Sequence, residues 1–208
     1  MISRKYNFVF QHIPKCAGIS LLNFFIKLHT IEGCIGDLMY APHNSFSFYK
    51  KEYKEHYRNF FKFTFVRNPW DRAVSLYEFR KKEANEGIHR RTWPSMDELI
   101  NDSFEDTIKK STNNTNKDVL YLEPAYTDNY WLPKQILKEI NFVGRFESID
   151  RDFDYIKYAL GIHLDHQLTH DNQIKRKHYS EYYNDETRKI VADKYATDIQ
   201  LFGYKFED

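Results

Sequence analysis

Three short stretches carry side chains that could do chemistry together. In His12-Ile13-Pro14-Lys15-Cys16-Ala17-Gly18-Ile19-Ser20, a single lysine stands at a bend between two apolar runs. Small residues leading into a helix start offer backbone N–H groups and the positive end of a helix dipole. That combination favours an anion, most naturally a phosphate. In Phe63-Thr64-Phe65-Val66-Arg67-Asn68-Pro69-Trp70, Arg67 ends an apolar run, and Ser75 follows in the second turn of the next helix. An arginine fork matches phosphate oxygens, and a serine adds a hydroxyl from the side. His43 falls between the two stretches and opens the segment His43-Asn44-Ser45-Phe46-Ser47-Phe48-Tyr49. Histidine is the side chain whose ordinary pKa suits proton transfer near neutrality.

Each of these residues has a plainer reading. Lys15 could be a strand-end lysine with its amine in water, His43 a helix-start histidine facing solvent, and Asp71 with Arg72 a solvated pair. The loop that holds a nucleoside triphosphate reads G-x-x-x-x-G-K-[ST], with lysine after the glycines. Here Lys15 precedes Cys16-Ala17-Gly18, which disfavours a small-molecule kinase.

The elements that must position these residues alternate between strand and helix. Tyr6 to Gln11 reads as a buried strand and Gly18 to Leu28 as a helix apolar nearly all round. Phe46 to Tyr57 reads as helical, and Phe60 to Val66 as a strand with Phe61, Phe63 and Phe65 on one face and Lys62 and Thr64 on the other. Asn68-Pro69 predicts a capped helix start, with the helix running to about Ala84. Ser95-Met96-Asp97-Glu98 is a capping box for a short helix. Lys109 to Asp118 is polar and unpatterned, as in an exposed loop. Asn141 to Gly144 predicts a strand, Ile149 to Leu160 a helix, and Asp185 to Phe202 a long terminal helix stopped by Gly203. Such alternation implies an α/β fold, in one domain over residues 1–208, with a central parallel sheet flanked by helices. Ligands of such sheets bind beyond the carboxyl ends of strands, where the loops after Gln11 and Val66 both sit.

The stretches "HIPKCAGIS" and "FVRNPWDRAVSLY" resemble the two cofactor signatures of sulfotransferases that use 3'-phosphoadenosine-5'-phosphosulfate (PAPS). The nearest resemblance is to the carbohydrate sulfotransferases that include the heparan 2-O and chondroitin/dermatan enzymes. "INFVGRFESIDRDFDYI" and "KRKHYSEYYNDETRKIVADKYATDIQLFGYKF" resemble that family's C-terminal half, and residues 90–131 are least recognisable. The resemblance implies a P-loop-kinase-like fold and transfer of a sulfuryl group from PAPS to a carbohydrate or polysaccharide hydroxyl. It implies that Lys15, Cys16, Ala17, Gly18, Ile19 and Ser20 hold the 5'-phosphosulfate, that Arg67 and Ser75 hold the 3'-phosphate, and that Lys175 and Arg176 close over the nucleotide. Many relatives have threonine where this chain has Ile19, so the 5' end would rely on backbone N–H groups and Ser20.

In this scheme an acceptor oxygen attacks in line, Lys15 donates to the bridging oxygen as the S–O bond breaks, and His43 takes the acceptor's proton. The sulfuryl group carries less charge than a terminal phosphoryl, so no metal clamp is required. His12, beside the loop, is the alternative base, or else packs and orients the loop. The remaining histidines, His29, His56, His89, His163, His166, His170 and His178, have no supporting pattern. A nucleotide- or polyanion-binding module without turnover is the reading from a different class.

Bulk properties set the limits. The chain has 208 residues, 41% hydrophobic and 17% aromatic, enough for a packed core. Its 31 Lys plus Arg against 30 Asp plus Glu give a formal charge of +1, which excludes nucleic-acid or membrane binding driven by net charge. Any anion site must be local. The basic runs Arg80-Lys81-Lys82 and His89-Arg90-Arg91 could hold an acidic glycan or be solvated faces. Two cysteines, Cys16 and Cys34, stand in no metal spacing and fit a reducing compartment. No apolar run reaches membrane-spanning length, and no cleavable leader is evident, so a cytoplasmic protein of bacterial source is expected.

Overall fold

The computed structural model describes residues 1–40, 43–87, 100–113, 132, 134–164, 167–169 and 174–207. The chain begins with strands β1 (Ile2–Ser3) and β2 (Phe8–Gln11), helix α1 (Gly18–Ile31) and strand β3 (Leu38–Met39). Helices α2 (Phe46–Glu52) and α3 (Lys54–Asn59), strand β4 (Phe61–Val66) and helices α4 (Pro69–Asn85), α5 (Phe104–Asn113) and α6 (Lys134–Leu137) follow. Strand β5 (Phe142–Arg145) and helices α7 (Ile149–Ala159), α8 (Asp185–Lys194) and α9 (Ala196–Phe202) come last, with short 3-10 turns at Ile35–Asp37, Phe146–Ser148 and Tyr179–Tyr182. They fall into two compact units: Met1–Arg67 with Ala125–Gln173, and Asn68–Pro124 with Ile174–Asp208.

The first unit holds the sheet, ordered β3-β1-β2-β4-β5. It is an α/β arrangement, as the sequence implies, but the sheet is mixed rather than wholly parallel. Strands β2, β4 and β5 are parallel, while β1 runs antiparallel to both β2 and β3. The reason is connection length. The few residues between Ser3 and Phe8 can only reverse the chain, whereas a parallel neighbour needs a long crossover. The parallel register pairs Gln11 with Thr64 and Val66 with Arg145, so three strand ends finish at one edge.

As the middle strand of that trio, β4 is buried on both faces, including Lys62 and Thr64. Their polar atoms are satisfied locally: Lys62 Nζ donates to the Phe60 carbonyl at 2.7 Å, and Thr64 Oγ1 donates to the Gln11 carbonyl at 2.9 Å. Phe8 packs on Phe25 at 4.4 Å between ring centroids, and Phe24 on Phe153 at 4.7 Å, joining the sheet to α1 and α7. Each buried phenylalanine contributes about 1.5–3 kcal/mol. Helix α1 runs on to Ile31, past the expected end at Leu28, and the helix expected from Phe46 to Tyr57 breaks at Tyr53 into α2 and α3.

The second unit is built on α4. The Asn68 side chain accepts from the Trp70 and Asp71 amides at 3.0 and 3.4 Å, with Pro69 in the first turn, as the sequence predicts. The Asn68 amide also donates to the Lys205 carbonyl at 2.9 Å, and the Trp70 indole donates to the Arg188 carbonyl at 3.1 Å. The polar stretch from Lys109 is not a loop at its start, because α5 extends to Asn113. Ser103 and Asp106 exchange backbone-to-side-chain bonds at 3.1 Å, a helix-start box that offsets the weak polar pattern. Residues 114–118 and the expected helix at 95–98 lie outside the described residues. The long terminal helix is two helices meeting at buried Tyr195, and Gly203 stops the second in a left-handed turn, φ 67°. No described helix is long and apolar enough to cross a membrane.

Candidate active site

The loop after β2 takes two residues into left-handed backbone, Lys15 at φ 66° and Ala17 at φ 60°. For residues with a Cβ this costs on the order of 1–3 kcal/mol each, so the surroundings must hold them there. Ala17 is the N-cap of α1 yet offers no side-chain oxygen, and the first helical turn contains no acid. A 14-residue helix with such a start presents N–H groups and positive potential to an anion. Cys16 is buried, its thiol 3.7 Å from the Pro14 carbonyl. Ser20 is buried in the first turn, and Lys15 and Ile19 are half-buried.

Arg67 is one of the restraints on this loop. It ends β4, which pairs directly with β2, and its Nη1 donates to the Lys15 carbonyl at 3.0 Å. Its guanidinium carbon lies 3.8 Å over the ring of Phe146, the residue that follows the end of β5. Three parallel strand ends thus bring Lys15, Arg67 and Phe146 together. The sequence indicated Lys15 and Arg67 as separate anion contacts. It did not show their mutual bond or the role of Phe146, although an aromatic directly after a strand end was the available signal.

His12 and His43 also meet. His12 is 5% exposed, and its ring centroid lies 4.6 Å from that of His43 at an interplanar angle of 45°. His12 Nδ1 is 3.1 Å from the Tyr40 hydroxyl. Burial, reinforced by positive charge on His43 and Lys15, pushes the His12 pKa down to about 3. His12 is therefore neutral near pH 7. His43 is exposed and lies ahead of α2 rather than in it, with a left-handed φ of 54°. Its segment is anchored by Gln11, whose side-chain oxygen accepts from the Phe46 amide at 2.9 Å, and Ser45 caps α2.

Ser75, Lys175 and Arg176 belong to the second unit. Ser75 is half-buried on α4, and Lys175 is exposed. Arg176 forms a largely buried ion pair with Asp71. Asp71 and Arg72 are accordingly not a solvated pair; both are buried, Arg72 to 3% exposure. Of Arg80-Lys81-Lys82, only Lys82 lies fully open to solvent. Arg80 is 1% exposed, Lys81 donates to the Tyr77 hydroxyl at 2.8 Å, and Lys82 pairs with Glu86 at 3.8 Å. Helical spacing explains this, since successive residues point to different sides of α4. The run at 89–91 lies outside the described residues.

Comparison with known proteins bears on the family. The pattern described as "Sulfotransferase family" matches residues 1–205. Carbohydrate sulfotransferase 14 of Danio rerio is 21% identical over an alignment of 233 positions, covering 98% of this chain and 61% of that protein. The chain therefore spans about 61% of the length of the curated relative it matches. No solved structure matches the chain. A match that runs through both units and takes in the loop at Lys15, the strand end at Arg67 and the cap at Asn68 settles the family: the chain belongs to the sulfotransferases.

Proposed function

We propose that this chain transfers a sulfuryl group from PAPS to a hydroxyl of a carbohydrate acceptor. The observation that carries the reading is the joined pair of motifs, a left-handed loop at the start of α1 whose Lys15 carbonyl is bound by Arg67. The family match, continuous over residues 1–205, supports treating both units as one sulfotransferase domain. The carbohydrate acceptor is suggested by the name of the Danio rerio relative.

Lys15 to Ser20 would hold the 5'-phosphosulfate, Arg67 and Ser75 the 3'-phosphate, and Lys175 and Arg176 would cover the nucleotide. The acceptor oxygen forms a bond to sulfur as the bond from sulfur to the bridging oxygen breaks. The electron pair leaves on the phosphate, where the Lys15 ammonium stabilises it, and the acceptor's proton passes to His43. The products are a sulfate ester and 3'-phosphoadenosine-5'-phosphate. Calorimetry with that product and with adenosine 5'-phosphate tests the assignment. Much tighter binding of the first is expected. Equal affinity for the two ligands rejects the 3'-phosphate site, and preference for ATP points to a kinase.

A further inference from the structure

We propose that His12 is a positioning residue for transfer, a buried wedge that fixes the start of α1, through Gly18, at a set distance from the acceptor-side base His43. This rests on the sulfotransfer reading and assigns a role to a residue that does not touch the reacting atoms.

Gly18 supplies the first observation. A Cβ placed there would lie 1.9 Å from His12 Cδ2, 2.2 Å from Nε2 and 2.4 Å from Cγ. Gly18 is the first residue of α1 and has no positive φ, so backbone conformation does not call for glycine. Glycine is also a poor helix former. Its presence is explained by the imidazole against it. The same ring also meets His43, whose ring centroid is 4.6 Å away. Phe10 and Tyr40 complete the enclosure, with ring centroids 6.3 and 6.5 Å from that of His12.

The chemical state of the ring suits this role. His12 is held neutral by its burial. Burial also raises the Tyr40 pKa, so its hydroxyl keeps its proton and can donate to His12 Nδ1 at 3.1 Å. With Tyr40 donating, the neutral ring carries its proton on Nε2. A rigid, uncharged ring here touches both the start of α1 and His43 without competing with Lys15 for an anion.

The test uses the full chain, with 3'-phosphoadenosine-5'-phosphate for binding and sulfate release from PAPS, water being the acceptor, for turnover. His12→Ala is expected to lower sulfate release about 10²-fold, the scale of a 1 Å misplacement, with a smaller loss of nucleotide affinity. His12→Gln, able to keep a bond to Tyr40, is expected to recover part of that rate. A merely structural ring would lower the unfolding midpoint and leave turnover per folded molecule unchanged. Gly18→Ala supplies a second arm, since its added methyl collides with the ring. In a His12→Ala background the collision is gone, and the double variant is expected to unfold at a higher temperature than Gly18→Ala alone. The proposal is overturned if His12→Ala keeps parental sulfate release, or if Gly18→Ala is equally damaging with and without His12. A parental chain that neither binds the nucleotide nor releases sulfate overturns the sulfotransfer reading itself, and the positioning role with it.

Discussion

The Arg67 guanidinium donates to the Lys15 carbonyl at 3.0 Å while lying 3.8 Å over the Phe146 ring. The arginine at the end of β4 thus restrains the left-handed residue in the loop after β2. Under the proposed function these two residues serve opposite ends of one nucleotide, and their bond would carry a change at either to the other.

Arg67→Ala should therefore weaken both nucleotides, unequally. Loss of a charge-assisted contact costs about 1.5–3 kcal/mol, and this is expected for 3'-phosphoadenosine-5'-phosphate. Adenosine 5'-phosphate should lose less, through the loosened Lys15 loop alone. Arg67→Lys keeps the charge but not the fork, and should restore only part of the affinity. Calorimetry on both variants decides it; parental affinity in Arg67→Ala would remove Arg67 from the site.

Phe146→Ala removes the ring under the guanidinium. A cation–π contact of this kind is worth about 0.5–2 kcal/mol. The variant should bind the 3'-phosphorylated nucleotide several-fold more weakly, with most of the effect absent when Arg67 is already alanine. Additive losses in that double-mutant cycle would show that Phe146 acts elsewhere.

Lys15→Ala should nearly abolish turnover while nucleotide binding survives. Charge on the bridging oxygen develops mainly in the transition state, so the ammonium acts on rate more than on affinity. Sulfate release within a few-fold of the parent would mean that another acid serves the leaving group.

His43→Ala should lower turnover by roughly 10²–10⁴-fold, the usual range for a general base, without altering nucleotide affinity. It should also remove the acid limb of the rate profile. His12 cannot produce a limb between pH 5 and 8, because its pKa is pushed down to about 3. An acid limb that persists in His43→Ala would assign the base to another residue.

The same shift makes stability depend on pH. His12 titrates at about 3 in the folded chain and near ~6.5 when unfolded. Between those values the unfolded state binds more protons, so the contribution is complete above ~6.5 and is lost progressively as pH falls. The slope from this one group reaches about 1.4 kcal/mol per pH unit. Urea unfolding of the parent and His12→Gln at pH 7 and 4.5 should show the variant losing less on acidification. Parallel losses would mean that His12 is solvated or already charged in the folded chain.

The local signals in the sequence were sufficient wherever a neighbour along the chain decides the outcome. Asn68-Pro69 determines the start of α4 because the cap and its amides lie within three residues, and Gly203 ends α9 because a left-handed turn suits glycine. The β2 and β4 strands, and the placing of Lys15 and Arg67 at their ends, follow from apolar runs interrupted by polar turns. What sequence could not decide depends on partners distant along the chain. The bond from Arg67 to Lys15, the ring of Phe146 beneath it and the packing of His12 on Gly18 all arise from sheet order and loop return. The burial of Arg72 and Arg80, both charged and each in a run that reads as solvated, is likewise a tertiary effect. Periodicity assigns a residue to a side of a helix, but only the elements packed there determine whether that side meets water.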